Sequence, residues 1–197
     1  MTPTVENVLS VYRRSTPADM AEGMAWYIDA HKYARRAGGG RAEHVARNAG
    51  IIAALSPMNE WKNNKRKAAE FISLRGRVIA VKGQPNGIGL GDNVNKARRI
   101  YNGEDPLDVL KGDKVRAFYR TILDPFGDIE PVIDRHAFDI AVGKRTDNKT
   151  RSALQRKGVY ETFADIYREA ARQANIGAAE MQATTWVTWK RIHGIDA

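Results

Sequence analysis

Apolar residues recur at intervals of three and four along nearly the whole chain, the spacing that gathers side chains on one face of an α-helix. Val45, Ala49, Ile52 and Ala53 follow it, and no polar residue interrupts the run from Ile51 to Leu55. A helix over 43–55 is therefore expected, buried on most sides, and Pro57 stops it. The same spacing predicts helices over 5–14 and 17–37, with a break at Ser15 to Pro17 and an end in the glycines at 38–40. In "NEWKNNKRKAAEFISL", Asn59 is expected to cap a helix that turns Trp61, Ala68, Phe71 and Ile72 inward and a basic face, Lys62 to Lys67, outward. Helix resumes near Asp92 or Asn93 and forms two pieces separated at Lys111 to Asp113. It starts again at Val132, and after a polar connection it fills 158–175 and 177–192. Strand-like alternation occurs only from Arg77 to Lys82, so the expected fold class is all-α.

The chemistry open to such a chain is bounded by what it contains. At 197 residues, 43% hydrophobic and 28% charged with 7 prolines, it can bury a sizeable core. It has no cysteine, which excludes disulfides, thiolate zinc sites and iron–sulfur clusters and suits a reducing cytosol. No stretch approaches a membrane span and the start lacks a secretory pattern, so no membrane partner and a cytoplasmic location are expected. The four histidines are scattered without ligand spacing, so neither a metal nor another cofactor is expected. "GIGLGDNVNKA" lacks the spacing of a dinucleotide loop and reads as a loop followed by a helix start. Lys and Arg number 32 against 23 Asp and Glu, a formal charge of +9 that favours a polyanion, with nucleic acid first among them.

The segment 104–140 carries the sharpest pattern. Two short helices around the turn "KGDK" could offer backbone N–H groups to a phosphate, with Lys111, Lys114 and Arg116 adding charge. Asp134 follows where another helix begins, and a carboxylate there is favoured by the N–H groups and the dipole. An amine and a carboxylate suit cleavage of an N-glycosidic bond. The carboxylate steadies the positive sugar or activates its attacker, and a deprotonated lysine can attack the sugar carbon itself.

Four stretches in this order, "IIAALSPMNEWKNNKRKAAEFI" (51–72), "GLGDNVNKARRI" (89–100), "DVLKGDKVRAFYRTI" (108–122) and "PVIDRHAFDIAVG" (131–143), resemble the helix-hairpin-helix DNA glycosylases. That superfamily includes endonuclease III and 8-oxoguanine glycosylase, and this chain resembles a divergent, phage-type member. The resemblance implies a two-lobed all-α fold, with one lobe at 49–128, the other from 1–48 and 129–197, and a cleft between them. It implies Asp134 as catalytic aspartate and Lys114 as the lysine that forms a Schiff base in members with lyase activity. It also implies DNA as partner, held by Gly112, Lys111, Arg116, Lys62, Lys65, Lys96, Arg98 and Asn59, in the cytoplasm of a bacterial or phage-infected cell. Gly112 matches one of the hairpin's two glycines, whereas Leu110 takes the place of the other, and Pro57 stands where many members carry glutamine. Two rival readings fit the same resemblance: a phage enzyme that alters hypermodified thymine in DNA, and a DNA-binding or regulatory protein without catalysis.

Overall fold

The computed structural model describes residues 2–37, 39–57, 59–77, 91–127 and 130–195. The alternation expected beyond Arg77 and the glycine-rich loop before Gly91 lie outside the described residues. Every regular element among the described residues is a helix: α1 (Val5–Tyr12), α2 (Pro17–Ala37), α3 (Val45–Leu55), α4 (Trp61–Ser73), α5 (Gly91–Tyr101), α6 (Pro106–Val109), α7 (Asp113–Leu123), α8 (Arg135–Val142), α9 (Asn148–Arg151), α10 (Val159–Ala174) and α11 (Ala178–His193). Short 3-10 turns occupy Ala42–His44 and Ser152–Gln155.

Local chemistry fixes several of these boundaries. Thr16 and Asp19 form a reciprocal box at the start of α2: Thr16 N donates to Asp19 Oδ2 at 2.7 Å and Asp19 N donates to Thr16 Oγ1 at 3.1 Å. Pro17 opens the helix, where its missing N–H costs nothing. Asp105 and Asp147 cap α6 and α9 through Leu107 N and Thr150 N, each at 2.7 Å. The polar stretch at 144–151, expected as a plain connection, thus holds a helical turn that its capping aspartate secures. α8 starts at Arg135, three residues after the expected start at Val132. Pro131 to Asp134 run without helix because Ile133 N donates to Tyr160 Oη at 3.0 Å instead of joining a helical ladder.

The chain divides into two compact units, one of Met1–Ile28 with Phe126–Ala197 and one of Asp29–Pro125. Residues 29–48 belong with the middle of the chain rather than with its ends, because their polar groups are satisfied there. Asn48 Nδ2 donates to Ala34 O at 2.8 Å and Tyr33 Oη to Lys65 O at 2.7 Å. Within this unit α3 packs on α4, α5, α6 and α7, and Ile51 to Leu55 are all buried, as their uninterrupted apolar run predicts.

In the unit that joins the chain's ends, α1, α8, α10 and α11 enclose Val8, Ile133, Phe138, Tyr167 and Met181. Phe138 and Phe163 stack at 4.6 Å between centroids. The first half of α2 meets α11 closely at Gly23, where a Cβ would lie 2.6 Å from Thr184 Cα, so only glycine permits this approach. Near that crossing, Arg191 Nε donates to Asp19 Oδ1 and Oδ2, both at 3.0 Å, and Asp19 is 4% exposed.

The Arg191 guanidinium, helped by Thr16, holds the Asp19 carboxyl below its ordinary range against the opposing pull of burial. A carboxyl with a depressed folded pKa stabilises the fold above its unfolded value, near 3.9, and loses that contribution as pH falls through the folded value. Asp19→Asn is therefore expected to cost about 1–2 kcal/mol at neutral pH. Urea unfolding across pH should show the gap between the variant and the wild type closing below about pH 4.

Candidate active site around Asp134

Asp134 lies at the end of a pinned, non-helical lead-in. Val132 and Ile133 are buried, and Tyr160 Oη donates to Pro131 O at 3.3 Å while accepting from Ile133 N. The chain then turns into α8 with Asp134 as N-cap, in extended conformation at φ −99° and ψ 173° short of zero on the negative side, that is −173°. One carboxylate oxygen does all the capping: Oδ1 accepts from His136 N at 2.9 Å and from Ala137 N at 2.8 Å. Oδ2 accepts no hydrogen bond among the described residues, and Asp134 is only half-buried. The cap thus leaves one oxygen of the side chain unused by the helix.

Aromatic rings from three helices surround the start of α8. The His136 imidazole meets the Trp186 indole edge-on at 6.4 Å between centroids, and Trp186 meets Trp26 edge-on at 5.9 Å. Trp26 packs edge-on against Tyr27 at 4.9 Å, and Tyr27 Oη donates to Gln182 Oε1 at 2.7 Å. Arg135 Nε donates to His136 Nε2 at 3.1 Å, which requires that nitrogen to be unprotonated. Burial pushes the His136 pKa down, with Asp134 pulling the other way, so the ring is neutral at neutral pH. Burial, with the Asp134 charge adding to it, also pushes the Tyr27 hydroxyl well up, so it remains a donor. From 181 to 190 every residue of α11 except Trp186 is buried, which makes this indole the part of that stretch open to a ligand.

Sequence spacing pointed to Asp134 but not to these rings. Trp26 and Trp186 sit far apart in the chain, and each reads alone as core; only the packing of α2 and α11 brings them together. The one available signal was the stripe Gln182, Trp186, Lys190 at four-residue intervals on α11.

The expected DNA-binding residues and the expected catalytic Lys114 all lie in the Asp29–Pro125 unit and divide into two groups. Lys62, Lys111, Gly112 and Lys114 are exposed, and the three lysines have no partner among the described residues. Lys114 occupies the first turn of α7, whose N-cap, Gly112, has φ −86° and ψ 140° and makes no side-chain cap.

The others are committed within the fold. Arg116 Nη1 donates to Leu107 O at 3.0 Å and Leu110 O at 3.3 Å, which serves the open carbonyls at the end of α6. Lys65 Nζ lies over the rings of Trp61 at 5.3 Å and Tyr33 at 5.9 Å. Lys96 pairs with Asp92 at 2.6 Å, and Arg98 Nη1 donates to Asn95 Oδ1 at 2.9 Å and Nε to Gly76 O at 3.3 Å. Asn59, expected to cap α4, instead closes α3: its Nδ2 donates to Leu55 O at 2.7 Å, and Lys67 Nζ donates to its Oδ1. Glu60 takes the N-cap position of α4 without a side-chain bond, because the last carbonyls of α3 lie nearer to Asn59.

Among the described residues no group of three His, Asp or Glu could hold a metal ion, and no helix is long and apolar enough to cross a membrane.

The profile of a family of unknown function, DUF7178, matches residues 1–193, and the chain belongs to that family. No curated protein and no solved structure shows a significant match.

Proposed function

We propose that this member of the DUF7178 family is a DNA glycosylase-like enzyme, which cleaves the N-glycosidic bond of a modified or damaged base turned out of DNA. The observation that supports it best is the division of labour at Asp134: Oδ1 is held by two backbone N–H groups, while Oδ2 accepts no hydrogen bond among the described residues, and His136, two residues on, packs against Trp186. A base inside a duplex hides its glycosidic carbon, so the nucleotide must leave the stack first. The extruded base would then meet the half-buried Trp186 indole.

As the bond between C1′ and the base nitrogen breaks, the electron pair leaves with the base and positive charge builds on the sugar. Asp134 Oδ2 steadies that charge, at a position fixed beforehand by the hydrogen bonds to Oδ1. Water adds to C1′, and the proton it gives up passes to the departed base, which took the bonding pair. The neutral His136 holds the Trp186 edge without adding a second positive charge next to the developing cation.

Phosphate contacts fall to the exposed lysines Lys62 and Lys111 rather than to Arg116, Lys96 or Arg98, whose charges already serve the fold. On this reading the two compact units correspond to the two lobes of the helix-hairpin-helix glycosylases.

The test is release of free base, read by mass spectrometry, from single- and double-stranded oligonucleotides that each carry one modified purine or pyrimidine. Release from at least one of them is expected. DNA binding without release from any would instead favour a binding protein, and an altered base still attached to its sugar would favour base modification.

Lys114 extends the proposal to strand cleavage. Once the base has left, an unprotonated amine could condense with the C1′ aldehyde of the ring-opened abasic sugar, releasing water and leaving a Schiff base that borohydride reduces to a stable adduct. Trapping with borohydride is expected to yield a protein–DNA adduct in the wild type and none in Lys114→Ala, with base release by the variant within about tenfold of the wild type. An adduct that survives in Lys114→Ala would assign the amine elsewhere.

A further inference from the structure

The whole excess of positive charge belongs to one of the two compact units. Asp29–Pro125 carries 19 Lys and Arg against 10 Asp and Glu, whereas Met1–Ile28 with Phe126–Ala197 carries 13 of each. A polyanion is therefore drawn to the first unit, while the unit that holds Asp134 is neutral as a whole. Within the basic unit, charge gathers where the end of α2 meets the start of α4. Residues 29–36 and 60–67 together hold seven cations and two carboxylates, Asp29 and Glu60.

Tyr33 joins these two helices. Its Oη donates to Lys65 O at 2.7 Å, its ring centroid lies 6.3 Å from that of Trp61, and Lys65 Nζ stands 5.9 Å from it. Arg36 follows Tyr33 by three residues on the same face of α2, close enough for its charge to oppose the rise that burial causes in the Tyr33 pKa. Lys62 precedes Lys65 by three residues on α4. Several neighbouring cations serve the fold: Lys32 pairs with Asp29, Arg35 Nε donates to Gly40 O, Arg66 pairs with Glu70, and Lys67 Nζ donates to Asn59. Arg36 and Lys62 are exposed and make no hydrogen bond or ion pair among the described residues.

Taking DNA as the partner from the proposed function, we infer that Arg36, Lys62 and Lys65 form a phosphate-binding strip on α2 and α4. The strip is separate from the turn between α6 and α7, and through it the basic unit supplies DNA affinity while the neutral unit supplies the Asp134 carboxylate. Cations held on two joined helices suit the regular row of charges along a nucleic-acid backbone, and contacts to phosphate alone carry no sequence preference. An anionic membrane fits the strip less well. Leu74 is the exposed large apolar side chain of this unit among the described residues, and it lies about three turns along α4 from Lys62, where it cannot insert beside the cations.

Fluorescence anisotropy of the full chain with a labelled random-sequence duplex, over a series of salt concentrations, tests this. The wild type is expected to bind with an affinity that falls steeply as salt rises. Arg36→Gln and Lys62→Gln should each flatten the plot of log affinity against log salt by about 0.9, and the double variant should bind at least about tenfold more weakly at about 0.1 M salt. The same loss of two charges in the neutral unit, Lys144→Gln with Lys149→Gln, should change affinity by less than about twofold. Equal losses in the two double variants, a slope unchanged in Arg36→Gln, or no binding of the duplex by the wild type would overturn the inference. So would equally tight binding of polyglutamate or of phosphatidylserine vesicles, which would assign the strip to an acidic protein or to a membrane. Base release is scored separately. Strip-dependent binding without release from any modified oligonucleotide would sink the glycosylase reading and keep the strip, and release with an unchanged slope in Arg36→Gln would do the reverse.

Discussion

Asp134→Asn is expected to fold and to bind DNA like the wild type while base release falls by about 10²- to 10⁴-fold. Asparagine ranks with aspartate as an N-cap, and its amide oxygen can still accept from His136 N and Ala137 N. The cost to stability should therefore stay within a few tenths of a kcal/mol. What the variant loses is the charge on Oδ2, the oxygen not used by the helix. Asp134→Ala removes both functions and should show the same kinetic defect together with a loss of about 1 kcal/mol. Single-turnover base release and urea unfolding on the three proteins separate the roles. A stability loss in Asp134→Ala with unchanged release in both variants would reduce Asp134 to a helix cap.

The largest effect on the fold is expected at Asp139, on the helix that Asp134 opens. Its carboxylate is 1% exposed and accepts from Arg151 Nε at 3.1 Å, Arg151 Nη2 at 2.6 Å, Thr146 N at 3.2 Å and Thr146 Oγ1 at 2.5 Å. These bonds fasten the connection after α8 back onto the helix. That connection leaves through Gly143 at φ 76°, where a Cβ would also press within 3.0 Å of the Asn7 side chain. Asp139→Ala leaves a largely buried guanidinium and a backbone N–H without their acceptor. Breaking one side of such a pair costs about 3–5 kcal/mol. Urea unfolding should show a loss of that size, with base release reduced as well because α8 positions Asp134. A loss below about 1 kcal/mol would mean that the connection is not anchored at Asp139.

Where sequence reasoning succeeded and failed follows from the range of the forces involved. The break at Ser15 to Pro17, the buried run from Ile51 to Leu55 and the split between α6 and α7 depend on periodicity and on residues a few positions apart, so they were legible. Asp134 was legible as a helix opener for the same reason. Val132 and Ile133 were also expected within the helix because they fit its spacing, and only the hydroxyl of Tyr160, 27 residues beyond Ile133, claims the Ile133 N–H.

The site itself was legible only in part. Asn59 stood within reach of two helix ends, and spacing could not say that it would serve the one behind it. Arg116 and Lys96 looked like free charges until their carbonyl and carboxylate partners were in place. The rings around Asp134 come from segments distant in sequence, and no local signal joins Trp26 to Trp186.

The most direct test of the central claim, that the open oxygen of Asp134 meets a sugar cation, uses a stable mimic of that cation. A duplex with one nucleotide sugar replaced by a protonated pyrrolidine is compared with the same duplex carrying an uncharged tetrahydrofuran. The wild type should bind the charged analogue at least about 10²-fold more tightly, in keeping with recognition of a transition state, and Asp134→Asn should bind the two alike. Equal affinities in the wild type, or a preference untouched by Asp134→Asn, would contradict the claim.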